Sequence, residues 1–386
     1  MIHVIILSII SIVFLFGQLG RIILGNGIQF YLLEALIGLH CIIILWQLRS
    51  NIYKLSLNRI VITAIFWLFY LLILLLVRGF GNTMPNNLKA GLYIVRIGIF
   101  AVYVWLLSKI SIDRKIVHTI WAWLSIAIPI ICLIQYFVIP DLRSLQQFGW
   151  DPHMYRAVGL MFDPPIVGSV LGMLFVDAVI RKSRSAMLLN ILAIIFLYSR
   201  STYLAVSLCI FVYFVIKHKY LLALAWIGLF VIAIYLAPMT IPRYMVIESA
   251  KIARISTVMS RQVELKAGLQ AWLSYPIFGI GYNRVSEYKR ATPQIYSKES
   301  PSNHSSSAFH SFWLTMLAST GIIGFGMLIY WLYSVLRLYP KAIYIFAIPA
   351  TIGLIDNVMF HPFVLVLFVI FYLKEKAKIG NSKQEQ

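Results

Sequence analysis

The sequence predicts an all-α polytopic membrane protein of about twelve transmembrane helices, interrupted once by a large extracytoplasmic loop. Three observations lead there. Mean hydropathy is +0.87, and 61% of the 386 residues are apolar while only 12% are charged, more apolar surface than one globular core of this size can hide. Unbroken apolar runs recur from end to end, each close to the roughly 20 residues that a bilayer-spanning helix needs. In lipid the backbone must satisfy its own hydrogen bonds, so runs of this kind are helical. The third observation is a single long polar interval, 238–310, with four carboxylates and nine Lys or Arg.

In chain order, the first helix is expected at 4–20; it lacks a basic flank and a small-residue cleavage site, so it reads as retained rather than as a signal peptide. Helices at 28–46, 60–77, 91–108 and 117–139 follow, the first carrying Glu34 and His40, the third Arg96 and the fourth His118. The sixth, 158–180, contains Asp163-Pro164-Pro165, where a kink or a helix start capped by Asp163 is expected. The seventh and eighth, 185–199 and 201–216, are short and separated by Ser199-Arg200-Ser201, which fits a hairpin that stops short of a full crossing. A ninth, 220–237, completes the first domain, 1–237.

The loop domain is 238–310. Within it Leu265, Leu269, Trp272 and Leu273 recur at the spacing of an amphipathic helix over 261–273, its apolar stripe lying on the membrane domain or at the interface. Pro276 to Gly281 ends that helix in a tight turn, and the polar stretch up to Ser307 reads as a mobile lid. Helices at 311–336, 342–356 and 359–373 form the last membrane portion, and 374–386 a cytoplasmic tail, disordered from Gly380 to Gln386.

The net charge of +20 would suggest nucleic acid in a soluble chain. Here it sorts by loop. Seventeen Lys and Arg fall in one alternate set of loops and the tail and six in the other short loops. Short cytoplasmic loops collect cations, so both termini are expected inside and 238–310 outside. Cys41, Cys132 and Cys209 sit within apolar runs as packing residues, with no metal spacing and no disulfide framework. Walker, HExxH and GxSxG motifs are absent from the sequence, as is an Asp-rich cluster for a divalent metal.

Charges in or beside apolar runs are expensive and so are candidates for function. Glu34, His40, Asp177 and His118 are expected to pair across helices; Arg96 lies deeper, its partner unreadable. Arg156, Asp163, Arg200, Arg261 and His310 all come to the outer face. Several Arg forks suit a diphosphate, and a His beside them can take a proton from a hydroxyl. A lone Arg at such a level more commonly snorkels to the head groups; only the joint placement beside one loop favours a site. His304 is a weaker rival to His310.

The pattern resembles the bacterial O-antigen ligases and the polysaccharide polymerases of the lipid-linked pathway over about residues 150–335. Tyr198-Ser199-Arg200-Ser201-Thr202 matches their Ser-Arg turn, Arg261 with Trp272, Pro276, Gly279 and Gly281 their loop helix and Pro-x-x-Gly-x-Gly, and His310 with Gly321 and Gly324 their His-led helix. Arg156, Gly159, Leu160 and Pro164 match an upstream element. Ser311 and Ser319 depart from it, where the family often has Asn and an acid.

The resemblance implies a GT-C-like glycosyltransferase of the bacterial inner membrane that needs no cofactor or metal. Its donor would be a glycan on undecaprenyl diphosphate and its acceptor a sugar hydroxyl of a glycan or lipid core; no nucleic acid is implied. Arg200 and Arg261, joined by Arg156, would hold the diphosphate; His310 would act as base, with Asp163, Arg96 and His304 as possible support. A transporter or flippase of the same lipid is the alternative, and ligase and polymerase are not separated.

Overall fold

A computed structural model of the chain describes residues 2–24, 28–50, 57, 59–79, 84–236, 239, 241, 255–292 and 308–382. Each of the twelve apolar stretches is helical. They form α1 (Ile2–Leu15), α2 (Leu32–Leu48), α3 (Arg59–Gly79), α4 (Met84–Lys109), α5 (Arg114–Val138), α6 (Pro164–Arg181), α7 (Arg184–Leu197), α8 (Arg200–Ile216), α9 (Tyr220–Leu236), α12 (Phe312–Leu338), α13 (Ala342–Ile352) and α14 (Pro362–Ser382). The loop interval contributes α10 (Ile255–Ser274) and α11 (Val285–Ala291).

Among the described residues five helices, α3, α4, α5, α6 and α12, are long and apolar enough to cross a membrane. Helix α7, of 14 residues, reaches only about 21 Å at 1.5 Å per residue, short of a hydrocarbon core of about 30 Å.

The boundaries depart from the sequence reading where turn chemistry outranks hydropathy. The first apolar run stops at Leu15; residues 17–20 form a 3₁₀ turn, and β1 (Arg21–Leu24) pairs antiparallel with β2 (Ile28–Tyr31), Arg21 opposite Tyr31. The all-α expectation therefore misses a small hairpin, whose signal was Gly25-Asn26-Gly27 between Ile22-Ile23-Leu24 and the alternating Ile28-Gln29-Phe30. Helix α6 begins at Pro164, not 158: two prolines open its first turn and Asp163 caps it, accepting from the Ile166 NH at 3.3 Å. Helix α13 ends at Ile352, and residues 353–361 are a turn instead of helix. Helix α14 runs through Lys374 to Ser382, so the expected tail is helical that far; residues 383–386 lie outside the described residues.

The largest core gathers α1, α2, α4, α5, α6, α7, α8, α13 and α14, with α6 at its centre and Val167, Val170, Leu171 and Leu174 fully buried. A second core packs α3 and α4 on α12 through Trp67, Leu71, Phe312 and Leu328. A third, under α10, joins Ala267, Ala271, Val285, Phe309 and Ala318. The amphipathic stripe of α10 is split: Trp272 packs against this third core, whereas Leu265, Leu269 and Leu273 are exposed, and α10 packs chiefly through Ala267 and Ala271. Small residues allow that close approach to α12.

Of the charges expected to pair across helices, Glu34, His40 and Asp177 do so, whereas the contact of His118 is within its own helix. Glu34 accepts from Arg96, whose Nη2 also donates to Gln29 O at 3.0 Å. His40 meets Tyr103 Oη at 2.8 Å and His3 at 3.0 Å. Asp177 receives Lys374, Arg181 and Trp121. His118 lies 3.4 Å from Arg114.

Candidate active site

Helix α8 starts abruptly after α7 because Tyr198 takes a left-handed conformation (φ 51°, ψ 41°), turning the chain in two residues. That turn leaves the last carbonyls of α7 without helical partners. Arg156 supplies them: Nε donates to Leu197 O at 3.1 Å and Nη2 to Tyr198 O at 2.9 Å, and the residue is buried. Its fork is thus turned to backbone and is absent from the wall of the cavity described below. Arg200, two residues past the carbonyl it holds, opens α8.

Arg261 lies in the second turn of α10, not at the helix start. Its Nη2 donates to Asp356 Oδ1 at 2.9 Å, while its Nε and Asp356 Oδ2 are buried with no partner among the described residues. Asp356 comes from the 353–361 turn. The sequence reading placed it at the end of a helix and overlooked it; Gly353, Asp356-Asn357 and His361-Pro362 were the turn signals available.

His310 precedes α12. Ser311 caps that helix, accepting from the Leu314 NH at 3.3 Å and donating to Gly353 O at 3.2 Å, while the Phe312 NH donates to Gly353 O at 2.8 Å. On the other side Thr315 Oγ1 holds both the NH and the carbonyl of Phe309, each at 3.1 Å. The backbone of His310 is therefore fixed on both flanks. Ser311 serves as helix cap and tether, which fixes the backbone beside the histidine where the resembled family often has Asn. Ser319, the other departure, is buried and its hydroxyl has no partner among the described residues.

Farther along, α12 is broken at Gly321 (φ 64°, ψ −174°), a backbone region open in practice only to glycine. The Pro276–Gly281 turn fits into that break. Ile280 NH donates to Ala318 O at 2.9 Å, Gly281 NH to Ser319 O at 3.0 Å, and Ile322 NH to Pro276 O at 2.9 Å. A Cβ on Gly321 would sit 2.1 Å from Ile277 O. The Pro-x-x-Gly-x-Gly spacing is thus a plug that satisfies a broken helix.

These elements converge on one cavity of about 360 Å³. Arg200, Arg261, Gln262, His310 and Ser311 give it a polar wall, and Leu265, Leu314, Leu354 and Ile355 an apolar one. Burial holds the His310 imidazole below its usual 6.5; the carboxylates of Glu264 and Asp356 pull it back up, and Arg261 and Lys289 push it further down. Among the described residues the ring has no hydrogen-bond partner. A neutral imidazole facing two guanidinium groups can take a proton while an anion is held beside it.

Asp163 lies near the same end, its carboxyl pushed up to about 7, chiefly by burial and further by Asp356 and Asp151, against the Ile166 NH and Arg156. Arg96 is tied to Glu34 and stacks over Tyr93 at 4.9 Å, and it takes no part in the cavity wall. His304 lies outside the described residues. No group of three or more His, Cys, Asp or Glu among the described residues is placed to hold a metal ion.

A match to known families adds to this geometry. Residues 185–329 match the O-antigen ligase family model. The match supports the resemblance drawn from the motifs, and with the apolar helices it points to a multi-pass membrane protein. It runs from α7 into α12, so Arg200, Arg261 and His310 fall inside it, and Arg156, Asp163 and Asp356 outside. No curated protein matches the chain.

Proposed function

We propose that the protein transfers a glycan from undecaprenyl diphosphate to an acceptor sugar hydroxyl, without a metal, at the outer face of the bacterial inner membrane. The acceptor hydroxyl gives its proton to His310, and its oxygen bonds to the anomeric carbon of the donor. The bond from that carbon to the diphosphate breaks in the same displacement, with inversion, and undecaprenyl diphosphate leaves with the electron pair. Negative charge grows on the departing oxygen, where the two guanidinium groups of the cavity wall, Arg261 held by Asp356, favour the transition state.

The observation that carries this reading is the meeting of Arg200, Arg261 and His310, from three separate elements, in one cavity with a polar and an apolar wall. A diphosphate joined to a polyprenyl chain asks for both. Arg156 and Asp163 act one step back, Arg156 by holding the turn that presents Arg200. Incubating the full chain in proteoliposomes with an undecaprenyl-diphosphate oligosaccharide, with and without a lipid-core acceptor, tests the proposal by product sizing. A ladder indicates a polymerase and one discrete shift a ligase. Movement of the lipid across the bilayer with no product formed would replace the enzyme by a flippase.

A further inference from the structure

An ion pair that no motif marks ties the segment ahead of His310 to the helix that carries Arg261. The side chains of Lys289 on α11 and Glu264 on α10 are 9% and 4% exposed and meet at 2.6 Å. The same ammonium donates to Ala308 O at 2.9 Å and lies 5.3 Å from the centre of the Phe309 ring. Phe309 is itself buried against Ala267, Ala271, Val285 and Ala318. Glu264 stands one turn beyond Arg261, so the pair links the two sides of the cavity while standing outside its wall. Burying both charges is costly, and an apolar pair could fill the same space. Packing alone therefore does not account for them.

We propose that Lys289 and Glu264 are positioning residues for the transfer reaction: they brace the Ala308–His310 segment against the Arg261 helix and balance the charge that the imidazole meets from behind the cavity. This rests on the transfer reading above, although its first test does not. The charged groups that act on His310 are Glu264 and Arg261 from α10, Lys289 from α11 and Asp356 from the 353–361 turn, and Arg200 of α8 shares the cavity wall with it; none but the substituted one changes in the variants below. Lys289→Met leaves the Glu264 charge unbalanced, so the imidazole keeps its proton to higher pH. Glu264→Gln leaves the Lys289 charge unbalanced, so it loses its proton at lower pH.

The test follows the rate at which diethylpyrocarbonate modifies His310 in the detergent-solubilised full chain, read by peptide mass spectrometry across pH, since only the neutral ring reacts. The midpoint is expected to move up in Lys289→Met and down in Glu264→Gln, by about half a unit or more each, and to stay in place in Lys289→Arg. Shifts of one sign in both, or none, would overturn the proposal. In transfer assays both neutral variants lose about 10²-fold in kcat with the KM for donor little changed, and Lys289→Arg recovers most of it. Where an unpaired charge keeps a variant from folding, Glu264→Asp keeps the charge and shortens the reach: lower kcat at an unchanged midpoint is expected, and unchanged kcat overturns the brace. Absence of transfer by the wild type would sink the enzyme reading instead, which the titration of the imidazole does not need.

Discussion

A guanidinium with one nitrogen tied down and the others left over is a directed donor. Arg261 is in that state, its Nη2 on Asp356 and its Nε without a partner among the described residues. Lysine carries the charge without the fork, so Arg261→Lys is expected to lower kcat by about 10²-fold, the scale of losing one donor to a developing anion; activity within a fewfold of wild type would remove the bidentate role. Asp356→Asn keeps the shape and removes the competing anion. Carrier affinity in a binding assay should hold or rise while kcat falls, because Arg261 loses its aim and not its charge. For His310 the sign is set by burial, which keeps it below 6.5. The rate should therefore be flat at neutral pH and fall only as pH drops through a value under about 6.5, and His310→Ala should leave no transfer to titrate. Arg200 and His310 were legible because each is a polar residue at the end of an apolar run, and Arg261 because it stands four residues ahead of Leu265 in an amphipathic spacing. Asp356 was not, since its neighbours are apolar enough to pass for helix. The fork of Arg156 looked free only because sequence does not show which carbonyls a turn leaves unpaired.

At the scale of elements, broken helices organise the site. The break in α12 survives because Gly321 tolerates its backbone and the 276–281 plug meets its exposed groups. Gly321→Ala puts a side chain against Ile277 O and forbids the conformation, at a cost of about 1–3 kcal/mol or more, so lower thermal stability and lower transfer should appear together. Normal stability would mean that the break is not needed. The start of α6 gives a second case. Asp163 is held near 7 in the folded chain against a usual 3.8, so its protonated form supports the fold below pH 3.8 and that support fades as pH rises to 7. Asn caps as well as Asp and does not titrate. Asp163→Asn should gain stability over wild type progressively from about pH 4 to 7, as thermal melts in detergent would read, whereas a constant difference would argue against the shift. Helices were legible as runs, but their ends were set by short turn signals such as Asp163-Pro164 and Gly353, which hydropathy averages away.

For the whole molecule, the helices run up and down so that their ends sort. Arg200 at the start of α8, His310 before α12, Asp356 after α13 and Asp163 before α6 share one end. Arg181, Lys182 and Arg184 between α6 and α7, Lys217 and Lys219 after α8, and Arg337 and Lys341 between α12 and α13 fall at the opposite helix ends. Cations that gather at helix ends facing away from the site are what a membrane needs if the site faces out, since short cytoplasmic loops retain Lys and Arg. The exposed Leu269 and Leu273 of α10 would then meet the outer leaflet, where an amphipathic helix can lie along the surface. Cys41 and Cys132 are buried and Cys209 partly so, and with Cys209 replaced a single new cysteine can report the side it faces. Gln270→Cys, exposed on α10, should react with a membrane-impermeant maleimide in intact cells. Lys182→Cys, exposed between α6 and α7, should react only after the cells are opened. The reverse pattern would put the cavity in the cytoplasm, where a glycan assembled for export has no reason to be joined, and the outer-face reaction would fall with it.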